Sequence, residues 1–180
     1  MIKIIRDAIT IEMCNYISIN MELLRHALNN PPDPTISNAF GYYSPIFLES
    51  LLLYMQPLVE QEVNETLYPT YSYGRIYGSG SELPIHTDRP SGEYAVTCCI
   101  EKQIDWPIYF EDSNQIKSIE LNVGDICIYE GMKYPHYRKP FFGDRHIQVF
   151  LMYVNANGQF ADWKYDKRYF LCGGLTTNPE

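Results

Sequence analysis

The chain has 180 residues, 46% of them hydrophobic and 20% charged, with a formal net charge of −8 at pH 7. That length suits one well-buried domain and is short for two, and the composition is globular rather than disordered. The negative balance argues against nucleic-acid or anionic-membrane partners, which need a positive surface, although Lys133, Arg138, Lys139 and Arg145 leave room for a local basic patch.

In chain order, residues 2–6 read as a short strand. Lys3 and Arg6 interrupt its apolar run and no cleavage site follows, so no secretory signal is read. Residues 10–28 read as a helix, with Ile11, Cys14, Ile17, Met21, Leu24 and Leu28 at helical spacing. Pro31, Pro32 and Pro34 end it, because proline removes a donor and biases its predecessor away from the helix. Ser44 is read as the N-cap and Pro45 as the first residue of a second helix running to about Thr66. Phe47, Leu51, Met55, Leu58, Val59 and Val63 form its inner side. No stretch approaches the roughly 20 apolar residues of a membrane span.

After Pro69 the pattern changes to about eight short strands rich in Tyr, Ile, Val and Phe. The expected spans are 72–78, 83–88, 94–101, 106–111, 116–120, 125–130, 134–139 and 145–154, separated by Gly-, Pro- and Asn-containing turns. The expected fold is mainly β with N-terminal helices: a double-stranded β-helix (jelly roll) core with supporting α-helices. It is read as a single domain, 1–180, with a helical support region 1–70, the core 71–154 and a C-terminal tail 155–180. Sixteen tyrosines read as strand formers with half-buried rings rather than as the lining of a channel. Trp106 and Trp163 read as packing residues. Five cysteines (Cys14, Cys98, Cys99, Cys127 and Cys172) are an odd set without framework spacing, and neighbours such as Cys98 and Cys99 face opposite sides of a strand. Reduced, buried thiols in a cytoplasmic compartment are the expectation.

The chemistry concentrates in two segments. His86-Thr87-Asp88 sets an imidazole and a carboxylate two residues apart, which on an extended strand share a face. His136 adds a second imidazole, and Arg145 follows nine residues later. Two histidines and one carboxylate with coordination positions left open are the ligand set of a non-haem Fe(II) oxygenase. A planar, always-charged arginine beyond the second histidine suits the far carboxylate of an acidic co-substrate.

Several stretches occur in an order that resembles a known family. Tyr77-Gly78-Ser79-Gly80-Ser81-Glu82-Leu83-Pro84-Ile85-His86-Thr87-Asp88 is similar to a Tyr, Gly-rich turn, His-x-Asp segment. Gly124-Asp125-Ile126-Cys127-Ile128-Tyr129 is similar to a Gly-Asp strand. His136-Tyr137-Arg138-Lys139-Pro140, then Gly143-Asp144-Arg145 and Tyr153, is similar to a distal strand pair. Together they resemble the Fe(II)- and 2-oxoglutarate-dependent dioxygenases, in particular the prolyl 4-hydroxylase-like branch, over about Tyr73 to Val154.

The resemblance implies iron ligands His86, Asp88 and His136, with Arg145 as the 2-oxoglutarate salt-bridge partner and Tyr77 as a hydroxyl donor to it. Arg138, two residues after His136, competes with Arg145 for that co-substrate; Thr97 and Cys99 are either cofactor contacts or plain core. Arg89 reads as solvated surface, with substrate contact as the alternative, and His146 is expected to face away from the site. The implied cofactors are Fe(II), 2-oxoglutarate and O2, with ascorbate as a reductant. The implied reaction is hydroxylation of a peptidyl substrate, with a prolyl residue as one candidate; a free amino acid or other small molecule, or a non-catalytic ligand-binding jelly-roll module, are the alternatives.

Overall fold

A computed structural model describes residues 1–28, 33, 35–113 and 115–171. Its first elements are β1 (Ile2–Ile5), α1 (Ile11–Ala27), β2 (Ala39–Tyr43) and α2 (Ile46–Val63). Then come β3 (Leu67–Tyr77), β4 (Leu83–His86), β5 (Tyr94–Lys102), β6 (Ile108–Asp112), β7 (Gln115–Ile119), β8 (Ile126–Glu130), β9 (His136–Arg138) and β10 (His146–Asn155). A single 3₁₀ turn, Pro90–Gly92, precedes β5, and a 3₁₀ segment, Ala161–Lys167, follows β10.

The strands form two antiparallel sheets, ordered β1-β8-β5-β10-β3-β2 and β4-β9-β6-β7. Between them lies a core that draws Cys99 from β5, Phe110 from β6, Tyr129 from β8 and Phe150 and Met152 from β10. This is the expected jelly roll. The outer face of the six-stranded sheet carries a second core: Cys14, Ile17 and Met21 of α1 and Leu48, Leu52, Met55 and Val59 of α2 meet Ile147, Val149, Leu151 and Tyr153 of β10. Thr10 caps α1 by accepting from the Met13 N–H at 3.3 Å.

β10 is buried from His146 to Val154. With both faces apolar, its sequence shows no alternation that assigns a face. Cys98 belongs to the outer core and Cys99 to the inner one, on opposite faces as expected. Cys14, Cys98, Cys99 and Cys127 are free and buried; Cys172 lies outside the described residues.

Three boundaries differ from expectation. The strand β2 occupies a stretch with no strand reading; Gly41 interrupts its apolar pattern because a Cβ there would meet the Tyr73 hydroxyl at 1.9 Å. β3 starts at Leu67 and runs through Pro69, which is paired with Tyr153 where the β3–β10 register shifts. Ser44 does not cap α2. Its φ is 50° and its N–H is bonded to the Ser72 carbonyl at 2.8 Å, so Pro45 becomes the N-cap residue. No described helix is long and apolar enough to cross a membrane.

Candidate metal centre

β4 and β9 pair so that His86 and His136 stand opposite each other, their ring centroids 4.3 Å apart. Asp88 follows just beyond the end of β4. Its Oδ1 lies 3.8 Å from Nε2 of each histidine, and all three candidate ligand atoms fall within 4.8 Å of one another. Each imidazole is oriented in the same way: His86 Nδ1 is 2.8 Å from the Pro84 carbonyl and His136 Nδ1 is 2.9 Å from the Tyr134 carbonyl. A carbonyl only accepts, so Nδ1 carries the proton and Nε2 turns its lone pair toward Asp88, the arrangement of a metal-bound histidine.

The carboxylate is held by close packing. Asp88 N donates to the Gly131 carbonyl at 2.9 Å, and a Cβ on Gly131 would lie 2.1 Å from Asp88 Oδ2 and 2.5 Å from the Gly92 carbonyl. Oδ2 is buried and accepts no hydrogen bond. Burial pushes the Asp88 carboxyl up to about 6 against the opposing pull of His86 and Arg89. Burial, and then His86, push His136 down to about 4, which keeps the imidazole neutral and able to ligate. An uncompensated buried carboxylate beside two lone pairs fits a divalent cation.

The centre opens into a cavity of about 230 Å³, walled by Tyr71, Tyr73, Arg75, Leu83, Tyr129, Phe150 and Met152. Three tyrosines therefore line it, beyond the packing role read for them. The Tyr129 hydroxyl is 3.4 Å from His136 Nε2. Arg75 is bonded to Asp33 Oδ2 at 2.9 Å and to the Tyr77 hydroxyl at 3.3 Å. Asp33 neutralises the guanidinium and, despite burial, is itself held down to about 2 by Thr35 and Arg75. At the rim Arg89 lies over Tyr71 (4.5 Å), which stacks on Tyr43 (5.5 Å). Asp166 accepts from both the Arg89 guanidinium (2.6 Å) and the Tyr43 hydroxyl (2.5 Å).

The arginines are placed differently from the expectation. Arg145 lies on the helix side of the six-stranded sheet, where it bridges Glu22 of α1 at 2.6 Å and Glu101 of β5 at 2.8 Å. The inward position at the start of β10 belongs instead to His146, ringed by Tyr77, Trp106 and Phe141. The parity expected for this pair is reversed. Arg138 is buried between the sheets, so it cannot join a surface basic patch. Tyr77 and Thr97 are buried too; the Thr97 hydroxyl accepts from Gln148 at 2.6 Å, and Gln148 accepts from His146. Arg75, Asp33 and Gly131 carried no signal in the sequence, since each matters only through contacts across the fold.

No family model matches the chain, and no curated protein is similar enough to match. Solved structures do. A prolyl-4-hydroxylase from Pseudomonas putida superposes with a TM-score of 0.69 at 12% identity, covering 86% of this chain and 92% of its own. HygX from Streptomyces hygroscopicus, with nickel, 2-oxoglutarate and hygromycin B bound, gives 0.70 at 10% identity, covering 87% and 83%. A prolyl hydroxylase from Trichoplax adhaerens, in complex with a hypoxia inducible factor peptide fragment, gives 0.65 at 14% identity, covering 86% and 83%. The chain has the fold of the Fe(II)- and 2-oxoglutarate-dependent oxygenases.

Proposed function

We propose that this protein is an Fe(II)- and 2-oxoglutarate-dependent dioxygenase that hydroxylates a peptidyl substrate, with a prolyl residue as the first candidate. The observation that carries the reading is the convergence of His86 Nε2, His136 Nε2 and Asp88 Oδ1 at the floor of an open cavity. These three residues would hold the iron. When bound, such a centre couples decarboxylation of a 2-oxo acid to transfer of an oxygen atom from O2 into a C–H bond. The chain's own part is orientation and exclusion of water: the Pro84 and Tyr134 carbonyls fix the ligand tautomers, and Tyr71, Phe150 and Met152 wall the space above them. The likeness to two prolyl hydroxylases supports the peptidyl substrate.

A small-molecule substrate is the second reading, and the likeness to HygX, which has hygromycin B bound, favours it. The four buried free thiols support a reducing, cytoplasmic setting. The test is succinate formation from 2-oxoglutarate with Fe(II), ascorbate and O2, offered proline-containing peptides and small molecules in parallel. Turnover dependent on iron and abolished in His136→Ala is the expected result. Metal binding with no succinate above a metal-free control, under any substrate, would leave a non-catalytic ligand-binding module.

A further inference from the structure

Over its first three turns α2 presents no charged side to water. From Ile46 to Pro57 its inward positions are Leu48, Leu51, Leu52 and Met55, which join the outer core. Its exposed positions are Ile46, Ser50, Leu53, Tyr54 and Pro57. The one charged residue of this stretch, Glu49, is buried and paired with Arg168. A surface helix normally turns its charges outward, and one that is apolar on all sides is covered on all sides. α1 lies beside it with the same outward character: between Tyr16 and Leu23 the exposed residues are Tyr16, Ile19 and Leu23. A chain with 22 acidic and 14 basic residues thus exposes none of them over these two spans.

Tyr16, Ile19, Leu23, Ile46, Leu53 and Tyr54 are each 50–67% exposed. Six such side chains leave about 500 Å² of apolar surface in water, at the upper end of what a monomer shows in one patch. Between the helices runs a groove of about 240 Å³, with Ile17 and Leu51 buried beneath it and Met13, Phe47, Tyr16 and Tyr54 along its sides. With the groove included, the face reaches the scale of one partner's share of a standard interface, about 800 Å². Its chemistry points to a second copy. A partner chosen by opposite charge would need charges here, whereas an identical face meets this one without repulsion, even in a chain of net charge −8. Tyr, Phe and Met in place of charged residues is the composition of a homodimer core. The face also lies on the opposite side of the six-stranded sheet from the metal cavity, so pairing there leaves both cavities open.

We propose that the outward faces of α1 and α2 form the isologous interface of a homodimer, in which a two-fold axis sets each helix pair against its copy and makes a four-helix layer between two jelly rolls. Leu23 and Leu53, one from each helix, are each buried twice in such a dimer. The proposal does not depend on the reaction assigned to the metal centre.

The experiment is sedimentation velocity of the full chain at concentrations up to about 100 μM, well above the weakest dissociation constants of interfaces of this size. The wild type should sediment as a particle of twice the chain's mass. Leu23→Glu and Leu53→Glu each place two charges in the interface and should weaken the dimer about tenfold per copy, or about a hundredfold in all. Both positions are exposed within one chain, so the thermal melt of the separated chains and their Ni(II) affinity should stay as in the wild type. Leu53→Gln, which adds no charge, should weaken the dimer in the same direction and serves if a glutamate variant does not fold. Ile116→Glu, on β7 and 62% exposed outside the patch, should remain dimeric. A single-chain mass for the wild type at every concentration overturns the proposal, whether the face then takes an unlike protein or stays wet. So does a dimer that survives both Leu23→Glu and Leu53→Glu, or one lost equally in Ile116→Glu.

Discussion

Gly131 gives the most direct test of how the candidate metal-binding carboxylate, Asp88, is held. Its backbone accepts the Asp88 N–H, and the Cβ of Gly131→Ala would meet Asp88 Oδ2 at 2.1 Å, Asp88 Cβ at 2.9 Å and the Gly92 carbonyl at 2.5 Å. Two of these contacts are with the ligand residue and the third is with backbone, so no flexible side-chain tip can yield. Overpacking of this kind costs about 1–3 kcal/mol, or about 2–12 °C in Tm for a chain of this size. The functional cost is separate. The freest atom to move is the carboxylate, and displacing a ligand's support lowers metal affinity about 10–100-fold. The assay is thermal denaturation with and without Ni(II). At a metal concentration of about 100 Kd the wild type gains about 2.7 kcal/mol. A variant with hundredfold weaker affinity gains only about 0.4 kcal/mol at the same concentration. If Gly131→Ala melts lower but gains as much from Ni(II) as the wild type, Gly131 is a packing residue and the account of Asp88 is wrong.

Two further outcomes follow from buried or strained groups. His146 is pushed down to about 3 by burial and then by Arg138, against about 6.5 unfolded, so the unfolded chain binds more protons between those values and stability falls as pH drops through 6.5. From pH 7.5 to pH 5 that loss is about 2 kcal/mol by linkage; His146→Gln should remove it, and denaturant melts showing the same pH slope in variant and wild type would refute the link. Asp166→Ala should free Arg89 and Tyr43 and release the segment Ala161–Lys167, in which Tyr165, Asp166 and Lys167 hold left-handed φ values of 54°, 56° and 60°. Amide exchange there should rise about 10–100-fold with Ni(II) affinity unchanged, and unaltered protection would show that the segment is held by other contacts.

Much of this architecture was legible in the sequence, and the failures share a cause. The jelly-roll strands, both helices and the His86, Asp88 and His136 group follow from local pattern and ligand chemistry. The arginine assignment does not. It required knowing which face of β10 looks inward, and β10 is buried on both faces, against α1 and α2 on one side and the four-stranded sheet on the other. Period-two alternation carries information only when one face is wet. Arg145 and His146 were therefore interchangeable in the sequence, and only the ion pairs to Glu22 and Glu101 separate them. β2 was hidden for a related reason, since Gly41 yields its side chain to the Tyr73 hydroxyl of a strand more than 30 residues away.

The same logic explains why the chemistry is readable and the substrate is not. The candidate ligands come from β4, β9 and the turn after β4, where one register, His86 opposite His136, determines the geometry. The rim is assembled from Tyr43 at the end of β2, Tyr71 of β3, Arg89 beside Asp88 and Asp166 of the C-terminal segment. No local pattern links these four. Their contacts span from 18 to 123 residues of sequence, and Asp166 joins two of the other three through a single carboxylate oxygen. A carboxylate committed to Arg89 leaves that guanidinium neutralised at the mouth, while the tyrosine rings remain. The rim thus presents flat aromatic surface with little net charge.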